Sequence, residues 1–244
     1  MDTLEVVLVP ALTDNYIFLA HHAESATSFV VDSGEAGPVL AEASRRGWRV
    51  THILNTHWHG DHTGGNAAVK AATGAEIVGP ALEAAKIPTL DRSVRGGDML
   101  AIGPLTARVI DTPGHTAGHI AFHFADSQVV FVGDTLFALG CGRLSEGTAA
   151  EMHASLAALM TLPDETTVYC AHEYTAANAR FALTVETRNA ALASRAAEIA
   201  VSRASDRPTV PTTIALERAT NPFVRATSVD EFARLRSAKD AFRG

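Results

Sequence analysis

Cysteine is almost missing from this chain: Cys141 and Cys170 are the only two in 244 residues. Two thiols make a weak disulfide framework and cannot supply a cysteine-rich structural zinc site. Long apolar runs are missing too, none approaching the roughly 20 residues that span a bilayer. The opening segment, MDTLEVVLVPAL, carries acidic residues where an export leader needs positive ones. We therefore expect no leader, reduced thiols and a cytoplasmic location. Positive charge is the minority sign, 20 Lys and Arg against 27 Asp and Glu, for a formal net charge of −7. That balance argues against nucleic acid as the main partner. A small-molecule ligand, no membrane and a monomer are the expectations.

What is present is core material and punctuation. Hydrophobic residues make up 47% of the chain, enough for one large domain or a medium domain with an appendage. In the first two-thirds, NYIFLA, TSFVVDS, VTHILNT, AEIVG, LTARVIDT, HIAFHFA, QVVFVGD and TVYCAH read as short strands. Between them PVLAEASRRG, GGNAAVKAATG and TAAEMHASLAALMTL read as helices, the last opened by a Thr148/Glu151 capping box. After about residue 173 the β-branched runs stop, and AANARFALTVE, NAALASRAAEIAVSRAS and VDEFARLRSAKDAF are helical. The expected division is a catalytic domain over 1–172 and a helical domain over 173–244, an α+β arrangement. The Ala/Leu/Ile stripe of 189–201 reads as packing.

One stretch stands apart: in THILNTHWHGDHTGGN, His57, His59, Asp61 and His62 fall within six positions on the loop that leaves an apolar strand. Four nitrogen and oxygen donors so placed point to a metal, and Gly64 and Gly65 allow a tight, closely packed turn. A lone histidine is ordinarily structural, and His21, His22, His52, His119, His123 and His153 are read that way. Three further donors share the setting of the cluster, each just after an apolar run: His115, Asp134 and His172. Seven donors are too many for one four-coordinate ion. With Asp134 shared, the count closes on two ions: His57, His59, His115 and Asp134 for one, and Asp61, His62, His172 and Asp134 for the other.

These residues resemble a known family. THWHGDH, continued by His115, Asp134 and His172, is similar to the metal motif of the metallo-β-lactamase superfamily. TDNYIFL, GDTLFALGCGR, CAHEYTAANARFAL, NPFVR and LRSAKDAF resemble its glyoxalase II branch, the hydroxyacylglutathione hydrolases, and the likeness runs over nearly the whole chain. The resemblance implies an αββα metallo-β-lactamase sandwich with a small C-terminal all-α domain, and two divalent ions, zinc foremost with iron or manganese as options. It also implies hydrolysis of S-D-lactoylglutathione, or a related 2-hydroxyacyl thioester, by a hydroxide shared between the ions, with Asp61 and Asp134 as catalytic carboxylates. Arg143, Tyr174, Arg236 and Lys239 are then expected to hold the glutathione. Trp58 stands where many relatives carry another histidine that is not a ligand, and Ser145 where relatives often place an aromatic touching glutathione.

A thioester suits such a site, because a thiol of pKa about 8.5 departs without much help from a general acid. After Pro211 the charged residues are six basic (Arg218, Arg225, Arg234, Arg236, Lys239, Arg243) and four acidic (Glu217, Asp230, Glu231, Asp240). An acidic protein needs such a local cationic surface to bind a thiol with two carboxylates. The competing reading is a persulfide dioxygenase of the same superfamily, with one iron held by two histidines and a carboxylate. A nuclease, a secreted β-lactamase and a metal-stabilised binding module fit the composition less well.

Overall fold

The computed structural model describes residues 4–244, which form two compact units. The first comprises the described residues up to Asp111 together with Ala117–Gly133, and the second Thr112–Thr116 with Asp134–Gly244. Among the described residues no helix is long and apolar enough to cross a membrane.

The first unit is built from strands, three α-helices and one 3-10 helix, Ala81–Lys86, between β5 and β6. In chain order they are β1 (Leu4–Ala11), β2 (Asn15–His22), β3 (Thr27–Val31), α1 (Ala36–Arg46), β4 (Val50–Leu54), α2 (Gly60–Thr63), α3 (Asn66–Thr73), β5 (Glu76–Pro80), β6 (Arg92–Val94), β7 (Met99–Ile102), β8 (Leu105–Asp111), β9 (Ile120–Phe124) and β10 (Val129–Gly133). One sheet runs β1-β2-β3-β4-β5-β6, antiparallel at first and parallel from β3 onward. The second runs β7-β8-β9-β10, antiparallel throughout.

Period-2 alternation decides how the first sheet is covered. Ile17 and Leu19 of β2 join Val39 of α1 and Val69 of α3 in one apolar cluster. Phe18, between them in sequence, points the other way and meets Phe131 of β10 at 5.6 Å between ring centroids. Phe29 stacks on Phe124 of β9 at 5.0 Å, so aromatic side chains join the two sheets face to face. A strand buried on both faces reads as a continuous apolar run, which is why NYIFLA has no polar alternation.

β1 lies at the sheet edge, where Pro10 is tolerated opposite Tyr16 because no further strand needs its missing N–H. In sequence this segment stands out only for its charge, and its strand is not legible there. Nor are the three- and four-residue strands β6 and β7, too short for their period to register.

The second unit contains β11 (Leu136–Phe137), β12 (Gly140–Cys141), α4 (Ala149–Leu159), β13 (Thr167–Cys170), α5 (Thr175–Val185), α6 (Ala190–Arg203), β14 (Thr212–Thr213), α7 (Ile214–Thr220), α8 (Pro222–Arg225) and α9 (Val229–Ala241). The capping box at α4 is formed: Glu151 N donates to Thr148 Oγ1 at 3.2 Å, and Thr148 N donates to the Glu151 carboxylate at 2.7 Å. The alanine-rich stripe packs as expected, Leu192 and Ile199 of α6 meeting Ala179 and Ala182 of α5. After residue 173 the segment is helical apart from β14, which pairs with β13.

A buried polar network organises this unit. Glu217 Oε1 accepts from Arg195 Nη2 at 2.6 Å and Thr212 Oγ1 at 2.6 Å, and its Oε2 accepts from Asn221 Nδ2 at 2.8 Å and the Leu139 N–H at 2.9 Å. Asn221 Nδ2 also donates to the carbonyls of Phe137 and Gly140, and Asn178 Nδ2 to that of Ala138. The β11–β12 hairpin is thus pinned through its backbone by side chains from α5 and from the α7–α8 junction. Removing one partner of such a buried ion pair costs about 3–5 kcal/mol, because the other charge is left uncompensated.

Gly64 and Gly65 have ordinary negative φ, −60° and −84°. Their role is close approach: a Cβ on Gly65 would lie 2.6 Å from Ser33 O, and one on Gly64 2.7 Å from Gly60 O. Gly65→Ala is expected to lose about 1–3 kcal/mol by overpacking against this backbone. A melting curve should then fall by roughly 2–4 °C per kcal/mol; an unchanged midpoint would mean that the turn relaxes freely.

Candidate metal centre and cationic cleft

In the first unit the donor loop leaves the C-terminal end of β4. His57 follows Asn55 and Thr56, all buried, and Asp61 and His62 sit on the single turn of α2. His57 Nε2 lies 3.1 Å from His59 Nδ1, and His62 Nε2 lies 3.3 Å from Asp61 Oδ2. The His57 and His62 rings are 4.0 Å apart at their centroids. All four donors of the cluster therefore converge within this unit.

The imidazoles are held from behind. Thr56 Oγ1 is 3.1 Å from His57 Nδ1, and Asp32 Oδ2 is 3.1 Å from His62 Nδ1. Asp32 is itself fixed by the Thr56 N–H and hydroxyl, both at 2.8 Å. A carboxylate on Nδ1 sets the tautomer and leaves Nε2 to act as a ligand. Asn15 Nδ2 donates to Asp61 Oδ2 at 3.0 Å, orienting that carboxylate. Neither Asn15 nor Asp32 was singled out from the sequence. Asp32 had a signal, since it follows the apolar run of β3 just as Asp134 follows that of β10.

In the second unit Asp134 divides its carboxylate. Oδ2 faces His115 Nε2 at 3.4 Å and Oδ1 faces His172 Nε2 at 3.3 Å. His115 Nδ1 is 2.9 Å from the Arg143 carbonyl, which fixes its tautomer in the same sense. Ligand atoms each about 2 Å from one tetrahedral ion stand roughly 3.3 Å from each other, so these spacings fit a divalent cation beside each oxygen. The donor chemistry, imidazole and carboxylate with no thiolate, also fits zinc, iron or manganese. Gly142 follows the hairpin so closely that a Cβ there would lie 1.9 Å from Asp134 O.

The structural histidines behave as read. His21 stacks on Trp48, His22 lies 2.8 Å from the Ser25 hydroxyl, His52 pairs with Glu76, and His153 lies 3.1 Å from the Ala226 carbonyl. Burial holds His123 below its ordinary pKa. His119 is buried and stacks on His57 at 4.8 Å, a supporting place next to the ligand cluster.

A cavity of about 210 Å³ opens in the second unit, and Arg143, Tyr174, Arg236 and Lys239 all line it. Tyr174 lies flat on His172, centroids 4.7 Å apart and planes 1° from parallel, so it belongs to the cavity and to the Asp134 group alike. Arg236 is buried; its Nη1 donates to the Cys141 carbonyl at 2.9 Å and its Nη2 to Asp240 at 2.8 Å. Lys239 Nζ donates to the Ala177 carbonyl at 3.0 Å. Burial first, then the charges of Arg236, Arg180 and Arg143, lower the Lys239 ammonium to about 8. Ser145 is exposed, its N–H donating to the His115 carbonyl.

Comparison with known proteins identifies two parts of the chain. The metallo-beta-lactamase superfamily matches residues 14–172, and the hydroxyacylglutathione hydrolase C-terminus matches residues 173–242. The chain is 49% identical to the hydroxyacylglutathione hydrolase of Methylococcus capsulatus, over 99% of this chain and 100% of that protein. With that of Rhodospirillum rubrum it shares 50% identity over the same fractions, 99% and 100%. Among solved structures it is similar to ETHE1 from Myxococcus xanthus, at 27% identity and a TM-score of 0.73 over 96% of this chain and 89% of that one. The di-iron-bound form of TTHA1623 is similar at 26% identity and a TM-score of 0.63, over 90% of this chain and 99% of that one.

Both cysteines are buried and unpaired by disulfide, and burial pushes their thiols up, to about 11 for Cys141 and about 12 for Cys170. Neither thiolate is therefore available at neutral pH. The folded protein is expected to resist a thiol-labelling reagent at pH 8 and to take up two equivalents only after denaturation. Rapid labelling of the native state would contradict this burial.

Proposed function

We propose a chemistry for this centre on one premise: the chain belongs to the hydroxyacylglutathione hydrolases of the metallo-beta-lactamase superfamily. It hydrolyses the thioester of S-D-lactoylglutathione and related 2-hydroxyacylglutathiones, releasing the hydroxy acid and glutathione. This is the glyoxalase II reaction, the second step of methylglyoxal detoxification. The observation that carries the mechanism is the place of Tyr174, stacked on His172 beside Asp134 and lining the cationic cavity. Metal donors and a seat for an anionic thiol thus share one side chain.

In this reading His57, His59, His115 and Asp134 hold one divalent ion, and Asp61, His62, His172 and Asp134 hold a second, most readily zinc. Such ions supply Lewis acidity and bring the pKa of bound water from 15.7 to about 7. The chain's own groups do the rest. Asn15 and Asp32 fix Asp61 and His62, and the Arg143 carbonyl fixes His115. Asp61 and Asp134 are the catalytic carboxylates, placed next to the reacting centre. Arg143, Tyr174, Arg236 and Lys239 seat the glutathione, Arg236 in large part by shaping the wall through Cys141 and Asp240. The thiol leaves as thiolate, which at a pKa of about 8.5 requires no dedicated acid. The segment 173–244 acts as the substrate-binding domain beside a catalytic domain over 1–172, in a cytoplasmic monomer.

Thiol release from lactoylglutathione, with bound metals quantified in the same sample, tests the reading. Turnover should accompany two metal equivalents, and oxygen uptake with glutathione persulfide should be absent. Turnover at full rate with a single equivalent would remove the shared role of Asp134. Asp134→Asn is expected to lose metal and rate together, by at least the roughly 10–100-fold that perturbing a ligand's own support costs; two tightly held ions in that variant would contradict it.

Lys239 adds a pH dependence. Its ammonium, lowered to about 8, is charged below that pH and neutral above it. KM for lactoylglutathione should therefore be flat below neutrality and climb above pH 8, with kcat little changed. Lys239→Ala should raise KM at pH 7 and abolish the climb; an identical KM profile in the variant would dismiss the amine as an anchor.

A further inference from the structure

The cleft of the second unit carries more positive charge than a glutathione moiety needs. Arg143, Arg236, Lys239 and Arg243 line it, and Asp240 is the one carboxylate among the lining residues. Asp240 is already engaged by Arg236, so that pair is close to neutral. Arg180 of α5 is exposed and stands three positions after the lining residue Ala177, hence on the same helix face. Its charge depresses Lys239 more strongly than that of Arg143 does, which places it within electrostatic reach of the cleft. Arg180 and Arg243 are both exposed, and no carboxylate lies within salt-bridge distance of Arg143 or Arg180 among the described residues.

Clustered like charge costs folding free energy, and in a chain of net charge −7 it stands out against its surroundings. A glutathione moiety brings two carboxylates and one ammonium. Arg143 and Lys239 suffice for the two carboxylates. Arg180 is left over and exposed, and so is Arg243, whose Nη1 donates only to the neighbouring carbonyls of Asp240 and Phe242 and meets no carboxylate. Carboxylates would leave their excess charge unmatched; phosphate groups would match it, since guanidinium binds phosphate in a forked, bidentate way.

We propose that Arg180 and Arg243 form an outer anion subsite that admits thioesters of a phosphorylated thiol carrier, of the coenzyme A class, as a second substrate class. The proposal rests on the thioesterase reading above. The pantetheine arm of such a carrier is uncharged and narrow, so it can pass the inner cations while the phosphates stay at the exposed arginines. The step is the same hydrolysis: the oxygen of water bonds to the acyl carbon, the carbon–sulfur bond breaks, and the thiolate takes up a proton. No oxidant or reductant is required.

The test uses the full metal-loaded protein with lactoyl-coenzyme A, lactoyl-3′-dephospho-coenzyme A and lactoyl-pantetheine, beside lactoylglutathione. The expected order of kcat/KM follows phosphate number, with the two nucleotide carriers weakened by added salt. Arg180→Ala and Arg243→Ala should each raise KM for lactoyl-coenzyme A by roughly three- to tenfold, a surface charge-pair effect, and leave KM for lactoylglutathione within about twofold. Absence of lactoyl-coenzyme A hydrolysis by protein that turns over lactoylglutathione overturns the proposal. So does a lactoyl-coenzyme A KM untouched by both variants, or an equal rise for both substrates. If lactoylglutathione itself is not hydrolysed, the parent reading fails instead. Calorimetric titration with free coenzyme A against pantetheine then decides the subsite alone, equal affinities refuting it.

Discussion

Asp134 is the constraint on which the rest of the second unit turns. A carboxylate that offers one oxygen to each of two imidazoles must be fixed in rotation as well as position, because a small twist would serve one side at the expense of the other. The chain fixes it from both directions. Upstream, Asp134 emerges from the end of β10, whose Gly133 has a φ of +46° and no room for a Cβ beside Thr56 Oγ1, 2.3 Å away. Downstream, the backbone folds back at once, Gly142 packing on the Asp134 carbonyl.

The hairpin between these points is apolar and short, so it cannot hold itself. Its rigidity is imported. Glu217, Asn221 and Asn178 satisfy the backbone groups of residues 137–140, and Arg236 satisfies the Cys141 carbonyl. Leu139 adopts φ +60°, a conformation that a β-branched residue would resist and that the Glu217 hydrogen bond stabilises. The C-terminal helices therefore do more than wall a cleft. Their buried polar residues fix the loop that leads from Asp134 to Arg143, which gives one physical reason for the helices and this loop to occur in one chain.

The donors were legible because each followed an apolar run that ended abruptly, and strand ends are where α/β proteins gather ligands. His57, His59, Asp61 and His62 announced themselves by density, and the capping box at Thr148 by its spacing. Asn15 and Asp32 were not legible in the same way, although Asp32 obeyed the strand-end rule; single polar residues at strand ends are too common to select without their partners. Glu217 and Arg195 were also hidden. Glu217 reads as a member of the charged helical tail and Arg195 falls inside the alanine-rich packing stripe, and only tertiary contact turns them into a buried pair. β1 escaped notice for a related reason: an edge strand with a proline satisfies no strong pattern until its neighbour is in place.

Arg236 shows how a cation can line a cleft without presenting its charge to it. It is buried, with one arm on a carbonyl and another on Asp240, and its guanidinium also lies 5.2 Å from the Phe223 ring centroid. A cation so committed contributes field and shape more than a direct bond. Lys239, nearly one turn further on and placed over the rings of Phe181 and Phe242, is the more available charge. Burying an ammonium among other cations lowers its hold on the proton, and that cost is compensated when an anion arrives and restores the balance. The same desolvation that depresses Lys239 therefore sharpens its preference for an anionic ligand over water. A protein with an overall negative charge can in this way concentrate attraction in one cleft while repelling anions elsewhere.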